Sequence, residues 1–260
     1  MPSPGEGRGK LYVVGTGPGP LDQMTGRAQA VIRASEYVLG NRTYLQAIRP
    51  LLAGKQVRES SMGKEVERAK EAVELAASHT VAMVSGGDPG VYGMAGIVLE
   101  VLERSGLAIP VEVVPGVTAA TAAASLAGSP LSGDFAVISL SDLLTPREVI
   151  EARLDTAFGM GIPVVLYNPR SRGRPGNFGR AMAIARRHRP GETPVAVVKN
   201  AFREGEECLF STLAGIGDLE DQVDMHSTVI VGGEESRFWR SGEDVRGIIT
   251  PRGYHRKYLY

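Results

Sequence analysis

Two glycine-rich segments each follow a short apolar run that has the composition of a β-strand. Residues 15–19 come after the run 11–14, and residues 86–93 come after the run 80–84. Glycine lets a backbone approach a ligand closely, and open α/β sheets bind small molecules at the carboxyl ends of their parallel strands. The two segments therefore predict a small-molecule site at the end of a parallel sheet.

The first glycine turn, residues 15–20, matches the dinucleotide-binding fingerprint only in part. Pro20 stands where that fingerprint requires its third glycine. Pro18 and Pro20 also lack the backbone N–H groups that would donate hydrogen bonds to a pyrophosphate. The turn therefore predicts a rigid path beside a ligand and not a phosphate cradle.

Asp88 follows the pair Gly86-Gly87 and precedes a proline. Its carboxylate could accept a hydrogen bond from an ammonium group of a ligand, or it could cap the helix that follows. Both interpretations stay open at the level of the sequence. Residues 116–121 add hydroxyl groups and small side chains after a third strand-like run.

Arg170, Arg172, Arg174 and Arg180 lie within residues 168–180, a segment without an acidic residue. Arginine binds carboxylates through two parallel hydrogen bonds. The segment therefore predicts a loop that binds a polycarboxylate ligand. The alternative is a solvated basic loop or an RNA-binding patch, because blocks of like charge are usually exposed.

Strand-like and helix-like segments alternate through the first half of the chain, which predicts a mainly parallel sheet with helices on both faces. The predicted strands are 11–14, 37–39, 56–58, 80–84 and 111–114, and the predicted helices are 21–35, 43–52, 64–78, 94–104 and 118–126. In the helix 64–78, the predicted buried stripe consists of Val66, Ala69, Val73 and Ala76.

The second half is also mixed but less regular, and its predicted elements are strands at 135–140, 163–167, 195–198, 211–213 and 228–231 and helices near 146–156 and 178–187. We expect two α/β domains with a cleft between them. The N-terminal domain, 11–128, has a mainly parallel sheet, and the C-terminal domain, 134–260, has a mixed sheet. Residues 1–10, rich in glycine and proline, are predicted to be a flexible leader.

The chain has 260 residues with 29 lysines and arginines and 29 aspartates and glutamates, so its formal net charge is zero. This balance disfavours a nucleic-acid or anionic-membrane partner. No apolar run approaches the roughly 20 residues that a membrane-spanning helix needs. Cys208 is the only cysteine, which excludes an internal disulfide and a cysteine-cluster zinc site. We therefore expect a cytoplasmic protein without a metal centre.

Taken together, these segments resemble the tetrapyrrole (corrin/porphyrin) methylase family. The matching pieces run in the family's order and are residues 15–19, 86–93, 114–120, 166–169 and 194–198. The resemblance implies a two-domain α/β fold, a tetrapyrrole substrate and a homodimer. It also implies S-adenosylmethionine (SAM) as the methyl donor, which leaves as S-adenosylhomocysteine.

Within that family, residues 139–146, 167–172 and 249–254 are similar to the enzymes that methylate C17 of a corrin precursor and contract its ring. The resemblance implies conversion of precorrin-3B to precorrin-4, with cobalt-factor III of the anaerobic branch as the alternative substrate. Two hypotheses of another class stay open. One is a SAM-binding sensor, and the other is an RNA ribose methyltransferase, whose RNA binding would depend steeply on salt.

The resemblance also assigns site residues position by position. The implied SAM contacts are Pro18, Gly86, Gly87, Asp88, Val91, Thr118, Ala119, Asn168 and Ala201, and the implied substrate contacts are Arg170, Arg172 and Tyr92. Ring contraction requires a proton transfer, so a general acid or base is expected. The candidates by residue type are Asp88, Ser139 and Asp142, followed by Ser141 and His226.

Overall fold

The structure, a computed structural model, describes residues 9–171 and 173–259 of the chain. It divides into two compact units, of which the first ends at Ala119 and the second begins at Ala120. The predicted leader, residues 1–10, lies outside the described residues except for Gly9 and Lys10. Each unit has its own sheet and its own apolar core.

The first unit is built on a five-stranded sheet. Its strands are β1 (Lys10–Gly15), β2 (Tyr37–Asn41), β3 (Gln56–Ser60), β4 (Thr80–Ser85) and β5 (Val111–Val114). Its helices are α1 (Gly26–Ala34), α2 (Arg42–Ala47), α3 (Glu65–Ala76) and α4 (Ala95–Ser105). The strand order is β3-β2-β4-β1-β5 and every neighbouring pair is parallel, which confirms the predicted parallel sheet.

Helices cover both faces of this sheet. On β4, Val81 and Met83 pack in one cluster with α3 and α4. Ala82 and Val84 alternate with them and pack on the other face with α1. Continuous apolar strands of this kind are typical of parallel sheets buried on both faces. The polar groups next to β4 are therefore those of the turns at its ends.

The predicted helix 21–35 is interrupted in the structure. A 3-10 helix (Leu21–Gln23) is followed by two extended residues, and α1 begins at Gly26. Thr25 is the N-cap of α1, and its side-chain oxygen accepts a hydrogen bond from the N–H of Ala28 at 3.0 Å. Because a threonine N-cap satisfies a backbone donor that the helix itself leaves unpaired, this cap sets the start of α1.

The predicted burial is wrong for one of the four residues of the stripe on α3. Val66 is 46 % exposed, whereas Ala69, Val73 and Ala76 are buried as expected. The side chain of Arg68 is buried on this helix as well. The helical period therefore holds for the middle of α3 but not for its first turn.

The second unit combines a mixed sheet with a small three-stranded sheet. Its strands are β6 (Gly128–Ser129), β7 (Ala136–Ser139), β8 (Val164–Tyr167), β9 (Pro194–Lys199), β10 (Glu207–Thr212), β11 (Ser227–Val231), β12 (Arg237–Ser241) and β13 (Asp244–Ile249). Its helices are α5 (Ala119–Leu126), whose first residue belongs to the first unit, α6 (Arg147–Gly159) and α7 (Asn177–His188).

The order of the large sheet is β10-β9-β11-β8-β7, with β7 and β8 parallel and the other neighbours antiparallel. The predicted mixed sheet is therefore confirmed. Since β9 and β8 both run opposite to β11, the strands β7, β8 and β9 end at the same edge. The small sheet, β12-β13-β6, was not predicted, because β12 is mostly exposed and carries no apolar run.

Helices also cover both faces of the large sheet. Leu166 packs with Phe178 of α7 on one face, whereas Val165 and Ile230 pack with Ala123 of α5 on the other. Within the described part of the chain, no helix has the length and apolar character needed to cross a lipid bilayer.

Candidate active site

The turns that follow β1 and β4 are joined by their backbones. Gly17 and Gly87 exchange two hydrogen bonds, from N of Gly17 to O of Gly87 at 3.1 Å and from N of Gly87 to O of Gly17 at 2.9 Å. One residue earlier, the N–H of Thr16 donates to the carbonyl of Ser85 at 2.9 Å. The two glycine segments singled out in the sequence therefore form one continuous structure.

The turn after β5 approaches the other two so closely that side chains are excluded. A Cβ added to Gly116 would lie 2.2 Å from the carbonyl oxygen of Gly87, and a Cβ added to Gly15 would lie 2.7 Å from the nitrogen of Gly116. No real Cβ sits at such distances. Glycine is required at these positions because two backbones occupy the space where a side chain would begin.

Asp88 ties the second turn to the third. Its Oδ1 accepts a hydrogen bond from the N–H of Gly90 at 2.8 Å, and its Oδ2 accepts one from the N–H of Gly116 at 3.0 Å. The N-cap of α4 is Met94 and has no side-chain hydrogen bond, so the capping interpretation of Asp88 is wrong for this helix. An ionised carboxylate is a strong acceptor for backbone N–H groups, and here it holds two turns together.

The turn 86–93 folds back onto the start of α4. The N–H of Ala95 donates to the carbonyl of Pro89 at 2.9 Å, and the N–H of Met94 donates to Ser85 Oγ at 3.3 Å. Tyr92 lies in this turn with φ of +52° and a side chain that is 60 % exposed. A tyrosine in the left-handed region is strained, and such strain is concentrated at functional sites.

The structure brings the other predicted SAM contacts of the first unit next to these turns. A Cβ on Gly87 would lie 3.7 Å from both Cα of Thr118 and N of Ala119. A Cβ on Gly86 would collide with the ring of Tyr44 at 2.4 Å. Pro18 follows the bridge residue Gly17 and is buried, and Val91 is partly buried in the turn itself.

These turns suit a ligand such as SAM, whose charged amino acid end needs close contact with backbone groups. The glycines have no side chains at the points where the three turns meet. Sequence reasoning found the glycines and Asp88, and it gave no role to Ser85, which directly precedes Gly86. It missed Tyr44, which lies outside the glycine-rich motifs and is revealed only by its contact with Gly86 in the fold.

In the second unit, Ser139 and Asn168 meet at the ends of β7 and β8. Nδ2 of Asn168 donates to Oγ of Ser139 at 3.0 Å, and the N–H of Ser141 donates to the same oxygen at 3.3 Å. Asn168 has φ of +52°. Asparagine is among the few residues that tolerate this backbone conformation, which gives a physical reason for its presence after Tyr167.

Ala201 follows β9 at the same edge of the sheet as Asn168. It lies between Asn200 and Phe202, whose φ angles are +48° and +60°. Ala201 packs in the same apolar cluster as Tyr167, the residue before Asn168. The edge formed by the ends of β7, β8 and β9 therefore gathers Ser139, Asn168 and Ala201.

The three arginines of the segment 168–180 that the structure describes, Arg170, Arg174 and Arg180, pair with acidic groups from other parts of the unit. Arg170 donates to the carbonyl of Glu220 and pairs with Asp221 at 3.2 Å. Arg174 pairs with Asp142 at 2.6 Å. Arg172 lies outside the described residues. The local excess of positive charge in the sequence is thus largely neutralised in the fold, and substrate binding by Arg170 and Arg172 stays a prediction.

Asp142 is 17 % exposed and lies between two arginines, at 2.6 Å from Arg174 and 3.5 Å from Arg147. Burial alone would raise the pKa of this carboxyl. Hydrogen bonds from its own backbone N–H, from Asn177 and from Arg147, together with the charge of Arg174, outweigh burial and lower the pKa below its ordinary value. Asp142 is therefore ionised at neutral pH, which suits an ion pair better than proton donation.

A family model for tetrapyrrole (corrin/porphyrin) methylases matches residues 10–217, a range that contains the glycine turns and the Ser139–Asn168 pair. This chain belongs to the tetrapyrrole methylase family. The resemblance inferred from the sequence is confirmed. Members of this family are methyltransferases that use SAM.

Curated relatives match nearly the whole chain. The cobalamin biosynthesis protein CbiHC of Archaeoglobus fulgidus is 46 % identical over 252 residues, which cover 96 % of this chain and 54 % of that protein. A probable cobalt-factor III C(17)-methyltransferase of Salmonella typhimurium is 46 % identical over 246 residues, covering 94 % and 99 %. A precorrin-3B C(17)-methyltransferase of Sinorhizobium sp is 39 % identical over 251 residues, covering 95 % and 97 %. The chain thus spans about half of the first relative and nearly all of the other two.

Solved structures of tetrapyrrole methylases share the fold. The crystal structure of the methyltransferase CobJ matches with a TM-score of 0.86 and 32 % identity, covering 94 % of this chain and 100 % of that chain. The uroporphyrin-III C-methyl transferase of Thermus thermophilus, complexed with S-adenyl homocysteine, matches with a TM-score of 0.64 and 26 % identity, covering 86 % and 92 %.

Replacing Gly116 by alanine tests the close approach of the turns. The added methyl group would lie 2.2 Å from the carbonyl oxygen of Gly87, so the backbones must separate. We expect Gly116→Ala to lower the free energy of unfolding by about 1–3 kcal/mol and to weaken SAM binding, measured by chemical denaturation and calorimetry. Gly96→Ala is the control, because its Cβ would meet nothing within 4 Å. Equal stability and equal SAM affinity of the two variants would contradict the argument.

Removing the carboxylate of Asp88 tests its role as a tie between turns. Asp88→Ala leaves the N–H groups of Gly90 and Gly116 without their acceptor, at an expected loss of about 1–3 kcal/mol in the free energy of unfolding. We also expect weaker SAM binding by calorimetry. Asp244→Ala is the control, since that carboxylate is exposed and pairs only with Arg246 at 3.6 Å among the described residues. An unchanged free energy of unfolding and an unchanged SAM affinity for Asp88→Ala would show that Asp88 does not hold the two turns together.

Proposed function

We propose that the protein is a SAM-dependent methyltransferase that transfers a methyl group to C17 of a corrin precursor and assists contraction of its ring. The observation that carries the proposal is the joining of glycine turns by Asp88 at the carboxyl edge of a parallel sheet, in a chain of the tetrapyrrole methylase family. Relatives of nearly the same length named as C(17)-methyltransferases support the position of the transfer.

SAM, when bound, supplies a methyl carbon activated by a positively charged sulfur, and a nucleophilic ring carbon displaces that sulfur in line. The protein must then mainly hold both reactants in line and exclude water. We assign the amino acid end of SAM to the turn at Gly86, Gly87 and Asp88. Asp88 holds the backbone of this turn in place, because its two oxygens accept the N–H groups of Gly90 and Gly116.

Ring contraction needs a group that gives or takes a proton, and we assign this role to Ser139. Its oxygen accepts hydrogen bonds from Nδ2 of Asn168 and from the N–H of Ser141, which fix the position of this hydroxyl at the strand end. Asp142 is the weaker candidate, because its charge is held between Arg147 and Arg174. Ser139 sits at the strand edge that also carries Asn168 and Ala201.

The substrate is either precorrin-3B or cobalt-factor III. The relative named for cobalt-factor III is 46 % identical and the one named for precorrin-3B is 39 % identical, which favours the cobalt form. The motifs fit both, since the two reactions share the methylated position and the contracted ring. The proposal includes a homodimer in the cytoplasm with no nucleic-acid or membrane partner, in keeping with the family resemblance and the net charge of zero.

The test is an incubation of the full chain with SAM and, in parallel tubes, precorrin-3B and cobalt-factor III, followed by mass spectrometry and absorption spectra. We expect a gain of one methyl group and a new chromophore in one tube, which also identifies the branch. Ser139→Ala should retain SAM binding and lose most of the ring-contracted product. The matched control is Ser125→Ala, at the C-terminal end of α5.

The absence of a methyl gain in both tubes, with SAM binding intact, would overturn the proposal and favour a SAM-binding sensor. A methyl gain on ribosomal RNA would instead favour the RNA ribose methyltransferase. That outcome should come with RNA affinity that falls steeply as salt rises.

A further inference from the structure

Two neighbouring leucines are strongly exposed on the segment between β7 and α6. Leu143 is 70 % exposed and Leu144 is 92 % exposed. Single exposed apolar residues are common on protein surfaces, but contiguous ones often mark a binding surface. The contacts that hold the segment in place bear on what this pair of leucines binds.

The segment that carries the leucines is fixed to the fold at several points. The N–H of Leu140 donates to the carbonyl of Tyr167 at 2.8 Å, and Nδ2 of Asn177 donates to the carbonyl of Leu140 at 2.7 Å. Asp142 is held by Arg174. Pro146, two residues after Leu144, is the N-cap of α6. The leucines therefore lie on a short stretch held at both ends, and a fixed position is what a specific contact requires.

The segment also lies beside the residues assigned to the reaction. It leaves β7 directly after Ser139, whose oxygen accepts the hydrogen bond from Asn168. The Asp142–Arg174 ion pair joins it to the loop that follows β8.

We propose that Leu143 and Leu144 form an apolar contact for one face of the tetrapyrrole ring, and that they help to select a large flat macrocycle as substrate. This inference rests on the proposed function. A tetrapyrrole has apolar conjugated surfaces at its centre and carboxylates at its rim. Exposed leucines on the segment that follows Ser139 can contact the apolar ring, whereas arginines can bind the carboxylates at its rim.

The physical basis is the hydrophobic effect. Burying an exposed leucine side chain against an apolar surface strengthens binding, and the usual size of this effect corresponds to about tenfold in a dissociation constant per side chain. Because neither leucine carries a group that reacts, their removal should change substrate binding and leave the chemical step intact.

The experiment compares Leu143→Ser and Leu144→Ser with Leu143→Met and Leu144→Met, which retain the apolar surface. Met160→Ser is a further control, because Met160 is 63 % exposed at the far end of α6. The readouts are KM and kcat for methyl transfer, the dissociation constant of SAM, and an absorption titration of the tetrapyrrole without SAM. We expect each serine variant to raise KM and the tetrapyrrole dissociation constant about tenfold. The values for kcat, SAM binding and thermal unfolding should match those of the wild type.

Wild-type KM in both serine variants of an active enzyme would overturn the proposal. So would an unchanged KM combined with a change in oligomeric state by sedimentation, which would assign the leucines to a contact between copies of the chain. The methionine variants provide another test. If they raise KM and the tetrapyrrole dissociation constant as much as the serine variants do, side-chain shape and not apolar surface matters, and the proposal is contradicted. A wild-type protein that binds neither tetrapyrrole and transfers no methyl group would refute the proposed function itself. The absorption titration separates these cases, because it does not depend on turnover.

Discussion

The close approach of backbones at the carboxyl edge of the first sheet is the constraint on which the site depends. The carbonyl of Gly87 occupies the position where a side chain of Gly116 would begin, and Gly15 has the same relation to the nitrogen of Gly116. This contact is possible only because β1 lies between β4 and β5 and all three strands run in the same direction. The helices that bury both faces hold these strands in place, so the apolar core supports the positions at which the turns meet.

Asp88 adds electrostatics to this steric constraint. Two backbone N–H groups from different turns converge on one carboxylate, at 2.8 and 3.0 Å. The strand ends of the second unit are also held by local contacts. Residues with positive φ follow β8 and β9, and a hydrogen bond joins Asn168 to Ser139. In both units, residues of adjacent strand ends are fixed by short polar contacts before any ligand arrives. Such preorganisation reduces the ordering that binding would otherwise require.

The parallel sheet and the glycine turns could be predicted from the sequence, because apolar runs and glycine clusters are local signals. The interruption before α1 was missed since it depends on a single cap, the side chain of Thr25. The neutralisation of Arg170 by Asp221 was also missed, because the two residues are far apart in the chain and meet only in the folded unit. The resemblance to a family located Asn168, and Ser139 was a candidate by residue type, whereas Tyr44 emerged only from its contact with Gly86.

The hydrogen bond between Asn168 and Ser139 has a directional consequence. Since Nδ2 is the donor to Ser139, the amide retains its carbonyl oxygen as the acceptor for a neighbouring group. A molecule that contacts this side chain can donate an N–H or O–H to that oxygen, or accept the second hydrogen of Nδ2. Substitution by aspartate would replace the donor with an acceptor, so that only the hydroxyl of Ser139 could donate across this contact, whereas leucine of similar size would remove donor and acceptor together. One amide thus presents both a donor and an acceptor at this edge of the sheet.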